Sequence, residues 1–190
     1  MKQAALVAKV FAAISVMGLS AWVAVKLYMH RYHLSLVPSC LNVSRVLYVR
    51  ESLWGIGPGG NETGVLVFGL PEDFVVTVKT GRIGFLRQAC SKSAMSRKTG
   101  GRFTEWKATP MVAEIQWLVR ESTSRGASAS GSPRIANFLD QYGFGISIDE
   151  EIQEMSDKAL SEPGNYYHSG RTSLLIVIPD KRRVVYAYAG

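Results

Sequence analysis

An N-terminal run of apolar residues is the feature that most constrains how this chain can fold. Between Lys9 and Lys26 lie sixteen residues, 10–25, and none of them is charged. Apolar side chains occur on every side of the helix they would form, whereas a helix packed on a soluble domain keeps a polar face. These residues span roughly 24 Å, and the snorkelling of both lysines extends the span toward the ~30 Å hydrocarbon layer. The sequence predicts an anchor with a short tail over residues 1–30, its membrane contact covering 4–29.

A cleaved signal peptide is the alternative, because Lys2 and Lys9 would supply its positively charged start. The apolar run ends without Ala-x-Ala, and Lys26 stands where small residues are expected. We therefore expect a single-pass membrane protein, with secretion after cleavage as the alternative. Charges on the two sides of the helix nearly balance under the positive-inside rule. The short tail beginning Met-Lys favours a C-terminal domain outside the cytoplasm.

The two cysteines, Cys40 and Cys90, are too few for a disulfide scaffold. Outside the cytoplasm they could form a disulfide, and inside it they would remain thiols. The sequence leaves both the pairing and the side of the membrane open.

The chain after the anchor is long enough to bury a core of its own. Residues 31–44 are predicted to form a juxtamembrane connector, since Pro38 cannot continue a helix. Residues 45–190 are predicted to form one small α+β domain. Flexible loops are expected at 79–107, which is basic, and at 122–132, which is rich in serine and glycine.

The domain is predicted to contain an antiparallel sheet of about four strands. Residues 45–51 alternate in character and 64–68 are apolar, which is typical of a hairpin. Residues 172–178 and 184–189 flank the turn residues Pro179-Asp180-Lys181-Arg182 and predict a central C-terminal hairpin. The side chains expected to be buried in this hairpin are Leu174, Ile176, Ile178, Val185 and Tyr186. Three or four helices, beginning near residues 71, 109, 133 and 149, are expected to cover one face of the sheet.

Candidate catalytic residues are few. His168 and Ser169 lie directly before the apolar strand 172–178, where a nucleophilic site could be placed. No Gly-x-Ser-x-Gly motif surrounds Ser169 and no acidic partner can be assigned, so aromatic packing around His168 is the expected role. A membrane-tethered hydrolase or transferase that uses His168 with a hydroxyl or a thiol is the alternative.

Neither a cofactor nor a metal is predicted. Gly55, Gly57 and Gly60 have the spacing of a dinucleotide-binding loop, but a strand follows them where the mechanism needs a helix. His30, His33 and Cys40 would supply three ligands, whereas structural zinc takes four.

Basic charge is the strongest functional signal. Residues 79–107 contain eight lysines or arginines and one acid, Glu105. Within this stretch Arg97, Lys98 and Arg102 are the candidate binding residues for anionic lipid headgroups or an acidic protein partner. No nucleic-acid-binding motif accompanies the charge, so no nucleic acid is expected as a partner. The sequence favours a non-enzymatic, membrane-anchored interaction or accessory domain at a cell envelope.

Overall fold

The computed structural model describes residues 2–54, 61–91, 103–112, 133–143 and 145–190. Over these residues the chain has four helices and a six-stranded antiparallel sheet. The helices are α1 (Lys2–Leu34), α2 (Glu72–Cys90), α3 (Ile135–Leu139) and α4 (Glu150–Ser161). The strands are β1 (Arg45–Trp54), β2 (Asn61–Gly69), β3 (Trp106–Ala108), β4 (Tyr166–Ser169), β5 (Ser173–Ile178) and β6 (Arg183–Ala189). Their order in the sheet is β1-β2-β6-β5-β4-β3.

The predicted α+β fold is confirmed, but the prediction of about four strands is wrong. The two expected hairpins, β1 with β2 and β5 with β6, are present. Strands β4 and β3 extend the sheet beyond β5. They contain only four and three residues, and a run this short does not display a periodic pattern.

The C-terminal hairpin lies at the centre of the sheet, as predicted. Strand β6 pairs with β2 on one side and with β5 on the other. Of the five side chains expected in the core, Ile178 is 4% exposed. The other four are completely buried: Leu174, Ile176, Val185 and Tyr186.

Helices cover both faces of the sheet, so the expectation of one covered face is wrong. On one face α2 packs through Phe74, Val78 and Leu86. On the other face α3 and α4 pack through residues that include Phe138 and Leu160. The strands β5 and β6 are therefore buried on both sides, which explains why their sequences are apolar almost throughout instead of alternating.

The predicted loop at 79–107 is replaced in part by helix, because α2 continues to Cys90. Residues 74–78 have the side chains of a strand, but burial of Val75 and Val78 outweighs that weak local preference. The guanidinium of Arg87 donates to the carbonyl oxygen of Trp106 through Nε and Nη2, at 3.3 and 3.0 Å. This bond attaches the end of α2 to β3. The predicted loop at 122–132 lies outside the described residues.

No helix begins at Thr109, contrary to prediction. The Oγ1 atom of Thr109 lies 2.6 Å from the carbonyl oxygen of Glu162 and 3.1 Å from that of Asn165. The hydroxyl therefore ties the chain after β3 to the end of α4, where it cannot act as a helix cap. Residues 113–132, which contain most of the predicted helix, are outside the described part of the chain.

Candidate functional sites: the helix junction and a basic cleft

From Ala13 onward, helix α1 presents its apolar side chains to the surroundings. All residues from Ala13 to Arg31 are exposed. The segment Ala13–Leu34 has 22 residues, and the 18-residue window that marks it as apolar has a mean hydropathy of 1.3 and no residue buried inside the domain. By length and composition this helix could cross a membrane or serve as a signal sequence.

The chain enters the domain core directly after α1. Tyr32 and Leu34 pack against the core at its edge. Leu36, Val37 and Leu41 are almost completely buried in the same cluster. Residues 31–44, expected to be a connector, thus include the last turn of α1 and part of the core.

A disulfide holds this junction. Cys40 is bonded to Cys90 at the end of α2. The question of pairing that the sequence left open is thereby answered, and both cysteines of the chain are used in the bond.

A polar row across three strands connects the sheet to α1. Glu51 on β1 is paired with Gly64 on β2, and Gly64 is paired with Tyr188 on β6. Because Gly64 lacks a side chain, the Tyr188 ring lies across it, and its hydroxyl donates to Oε1 of Glu51. The other oxygen, Oε2, lies 3.4 Å from Nε2 of His33 in the last turn of α1. Glu51 therefore contacts both Tyr188 on β6 and His33 at the end of the apolar helix.

The electrostatics of this row keep the tyrosine protonated. Burial raises the pKa of Tyr188, and the hydrogen bond to Glu51 and the negative charges of Glu51 and Glu62 raise it further. The hydroxyl consequently remains a donor to the carboxylate throughout the neutral range.

His168 lies in an aromatic cluster on β4. Its ring is 5.1 Å from that of Phe103 and 6.2 Å from that of Trp106, both in edge-to-face arrangements between ring centroids. All three side chains are buried. Ser169 follows at the half-buried end of β4, and the amide of Gly170 donates to the carbonyl oxygen of Ser173 at 2.7 Å in the turn to β5. Within the described ranges no group of three or more His, Cys, Asp or Glu side chains could hold a metal ion.

A basic cleft lies at the opposite end of β1, β2 and β6 from the polar row. Its volume is about 530 Å³, and four of the residues that line it are cations: Arg45, Lys181, Arg182 and Arg183. Nη1 of Arg182 donates to Oε2 of Glu72 at 3.2 Å. In the part of the chain that the structure describes, the other three cations form no ion pair.

The sequence did not reveal this cleft, because its cations come from the start of β1 and from the turn between β5 and β6. The run Lys181-Arg182-Arg183 is the available signal, but its first two residues belong to Pro179-Asp180-Lys181-Arg182, a pattern that predicts only a turn. The three residues that were predicted to bind anions, Arg97, Lys98 and Arg102, lie outside the described residues.

Together these features define a small α+β domain whose core begins directly after an apolar helix, with a basic cleft at the far end of its sheet. No protein-family model, curated protein or solved structure matches this chain.

Proposed function

We propose that the protein is a non-enzymatic, membrane-anchored interaction domain at a cell envelope. The observation that carries the proposal is the junction, where an exposed apolar helix continues without a free linker into the buried Leu36 and Val37. Cys40 and Cys90 add a covalent attachment between this junction and α2. A domain attached in this way is held at a set distance from the bilayer, which suits the presentation of a surface to a partner.

The disulfide supports a location outside the cytoplasm. Disulfides persist in oxidising compartments and are rare in the cytosol. The uninterrupted helix through residues 20–26 supports retention of the anchor over cleavage. Secretion after cleavage is the alternative, since a cleavage there would leave the disulfide and the domain core in place.

The surroundings of His168 favour this proposal over a hydrolase or transferase. The ring packs against Phe103 and Trp106, and both thiols are used in the disulfide. A catalytic role for His168 would therefore depend on a hydroxyl nucleophile such as Ser169.

A second proposed contact lies in residues 92–102. There Arg97, Lys98 and Arg102 would bind anionic lipid headgroups or an acidic protein partner. Each charge near an anionic membrane contributes about 1 kcal/mol of binding free energy. Full-length protein in nanodiscs that contain a photoreactive anionic lipid should form lipid adducts in this stretch. Reversal of the three charges to glutamate should abolish the adducts, whereas adducts that persist would contradict the contact.

Membrane extraction and cross-linking test the main proposal. After alkaline extraction the protein should remain in the membrane pellet, with an intact mass that includes the N-terminal helix. Cross-linking in native membranes should then give discrete adducts with another protein. A soluble chain beginning near residues 21–25 would contradict the anchor, and a chain that never forms an adduct would contradict the interaction.

A further inference from the structure

We propose that the basic cleft binds an acidic segment of a partner protein, whose carboxylates contact Arg45, Lys181 and Arg183. The inference rests on the proposed function, because it names the chemistry of the partner that an interaction domain would take.

The charges of the cleft are incompletely compensated. Four cations line one cavity, and Glu72 neutralises only Arg182. The carboxylate of Glu72 already binds Arg182, which is one of the lining residues, and guanidinium groups suit carboxylates because their donors form a planar fork. Converging like charges repel one another, so the cleft gains free energy when further carboxylates enter it.

The shape and lining favour a protein segment over a small free anion. Arg45, Lys181 and Arg182 are all exposed, so the cleft is open to solvent. Sites for small molecules bury most of the ligand surface, which this open cleft cannot do. The lining also includes Leu47, which is 47% exposed, and Pro71. A segment that combines carboxylates with an apolar side chain would contact both the cations and the apolar residues of the lining.

The position of the cleft favours a protein over the membrane surface. Helix α1 leaves the domain beside Glu51, where His33 contacts that carboxylate. Arg45 lies six residues away on the same strand, which corresponds to about 20 Å. That distance is roughly twice the Debye length of ~8–10 Å at physiological salt, so charged headgroups at the anchor are screened from the cleft.

A binding titration tests the assignment in the full-length protein, held in nanodiscs of neutral phosphatidylcholine. The probe is a fluorescent peptide that alternates glutamate with leucine, and the same peptide with glutamine for glutamate is the control ligand. The variant R45E/K181E reverses two cleft charges. The variant K107E/R171E reverses one lysine and one arginine outside the cleft. All four side chains are exposed, so both variants should keep the melting temperature of the wild type.

We expect R45E/K181E to weaken binding of the acidic peptide about tenfold or more, while K107E/R171E binds as the wild type does. Wild-type affinity should fall with added salt, and the glutamine peptide should bind weakly. Equal losses in the two variants would overturn the assignment, because net charge alone would then explain the binding. Binding of inorganic phosphate or of anionic vesicles without binding of the acidic peptide would also overturn it. If cross-linked adducts in native membranes persist in R45E/K181E, the interaction function stands and its surface lies elsewhere.

Discussion

Gly64 is the residue whose missing side chain allows the polar row to form. A Cβ atom at this position would lie 2.5 Å from the Tyr188 ring. Gly69 is on the same strand, but a Cβ atom there would meet its nearest neighbours, in Arg45 and Leu47, at 3.8 Å. The Tyr188 ring therefore requires a glycine at position 64, whereas position 69 can accommodate a Cβ atom at ordinary contact distance.

We expect Gly64→Ala to lower the free energy of unfolding by about 1–3 kcal/mol, because the ring must move away from Glu51. Gly69→Ala is the matched control. It should leave stability unchanged or raise it by about 0.4–1 kcal/mol, since alanine restricts the unfolded chain. Chemical denaturation of the two variants in detergent measures the difference. Equal effects of the two substitutions would contradict the role assigned to Gly64.

The raised pKa of Tyr188 predicts a loss of stability in alkali. Above about pH 10 the unfolded chain releases this proton while the folded protein retains it, so the free energy of unfolding falls as pH rises. The slope for one such group approaches about 1.4 kcal/mol per pH unit. Tyr188→Phe removes this contribution and, at neutral pH, should cost about 1–2 kcal/mol for the lost hydrogen bond.

Melting curves of the wild type and Tyr188→Phe between neutral pH and pH 11 give the comparison. The two stabilities should converge as pH rises, because the advantage of the wild type depends on a protonated hydroxyl. Parallel curves over this range would contradict the prediction, because they would show that Tyr188 releases its proton equally in the folded and the unfolded protein.

At this scale the sequence could identify the buried side chains but not the polar contacts. Leu174 and Ile176 were predicted as core because apolar residues in a long run must be buried. The contact of Tyr188 with Glu51 depends on the register of three strands, and a separation of 137 residues conceals it. The packing of His168 similarly required β3, whose three residues carry no period.

Among the elements, the long apolar strands and the starts of α2, α3 and α4 were predictable, whereas the short strands β3 and β4 and the full length of α2 were not. The strands β5 and β6 contain continuous apolar runs, which indicate burial on both sides. The helix α2 contains β-branched residues near its start, so its conformation is decided by packing on the sheet and by the acidic first turn. Its end at Cys90 is marked by contacts with Trp106 and Cys40, neither of which is visible in a local pattern.

The central hairpin should carry much of the stability of the domain. Ile176 on β5 is completely buried, so Ile176→Ala should lower the free energy of unfolding by about 2–5 kcal/mol. Val76 on α2 is 61% exposed, and Val76→Ala should change the free energy of unfolding by less than about 0.5 kcal/mol. Removal of residues 184–190 deletes nearly all of β6 and should yield insoluble or degraded protein. A truncated chain that remains folded by circular dichroism would contradict the central role of this hairpin.

On the scale of the whole molecule, the apolar helix α1 continues directly into the core of the domain. The sequence predicted an apolar helix and a separate connector, because Pro38 interrupts the helix. In the structure the chain around Pro38 is buried beside α2, and the disulfide fixes it there. Only the three-dimensional proximity of Cys40 and Cys90 could reveal this, since their separation of 50 residues indicates nothing by itself.

The disulfide also provides a test of the proposed location of the domain outside the cytoplasm. If the domain lies outside the cytoplasm, protein denatured directly from cells should react with a maleimide-polymer only after reduction. Cys40→Ser should leave Cys90 reactive without reduction, which controls for access to the thiol. The chain-entropy model gives about 4 kcal/mol for a loop of this length, so Cys40→Ala/Cys90→Ala should unfold at a clearly lower denaturant concentration than the oxidised wild type. Wild-type protein that reacts fully without reduction would place the cysteines in a reducing compartment, because an oxidised pair has no thiol to offer. The domain would then face the cytoplasm, and the stability of the working protein would be that of the reduced chain.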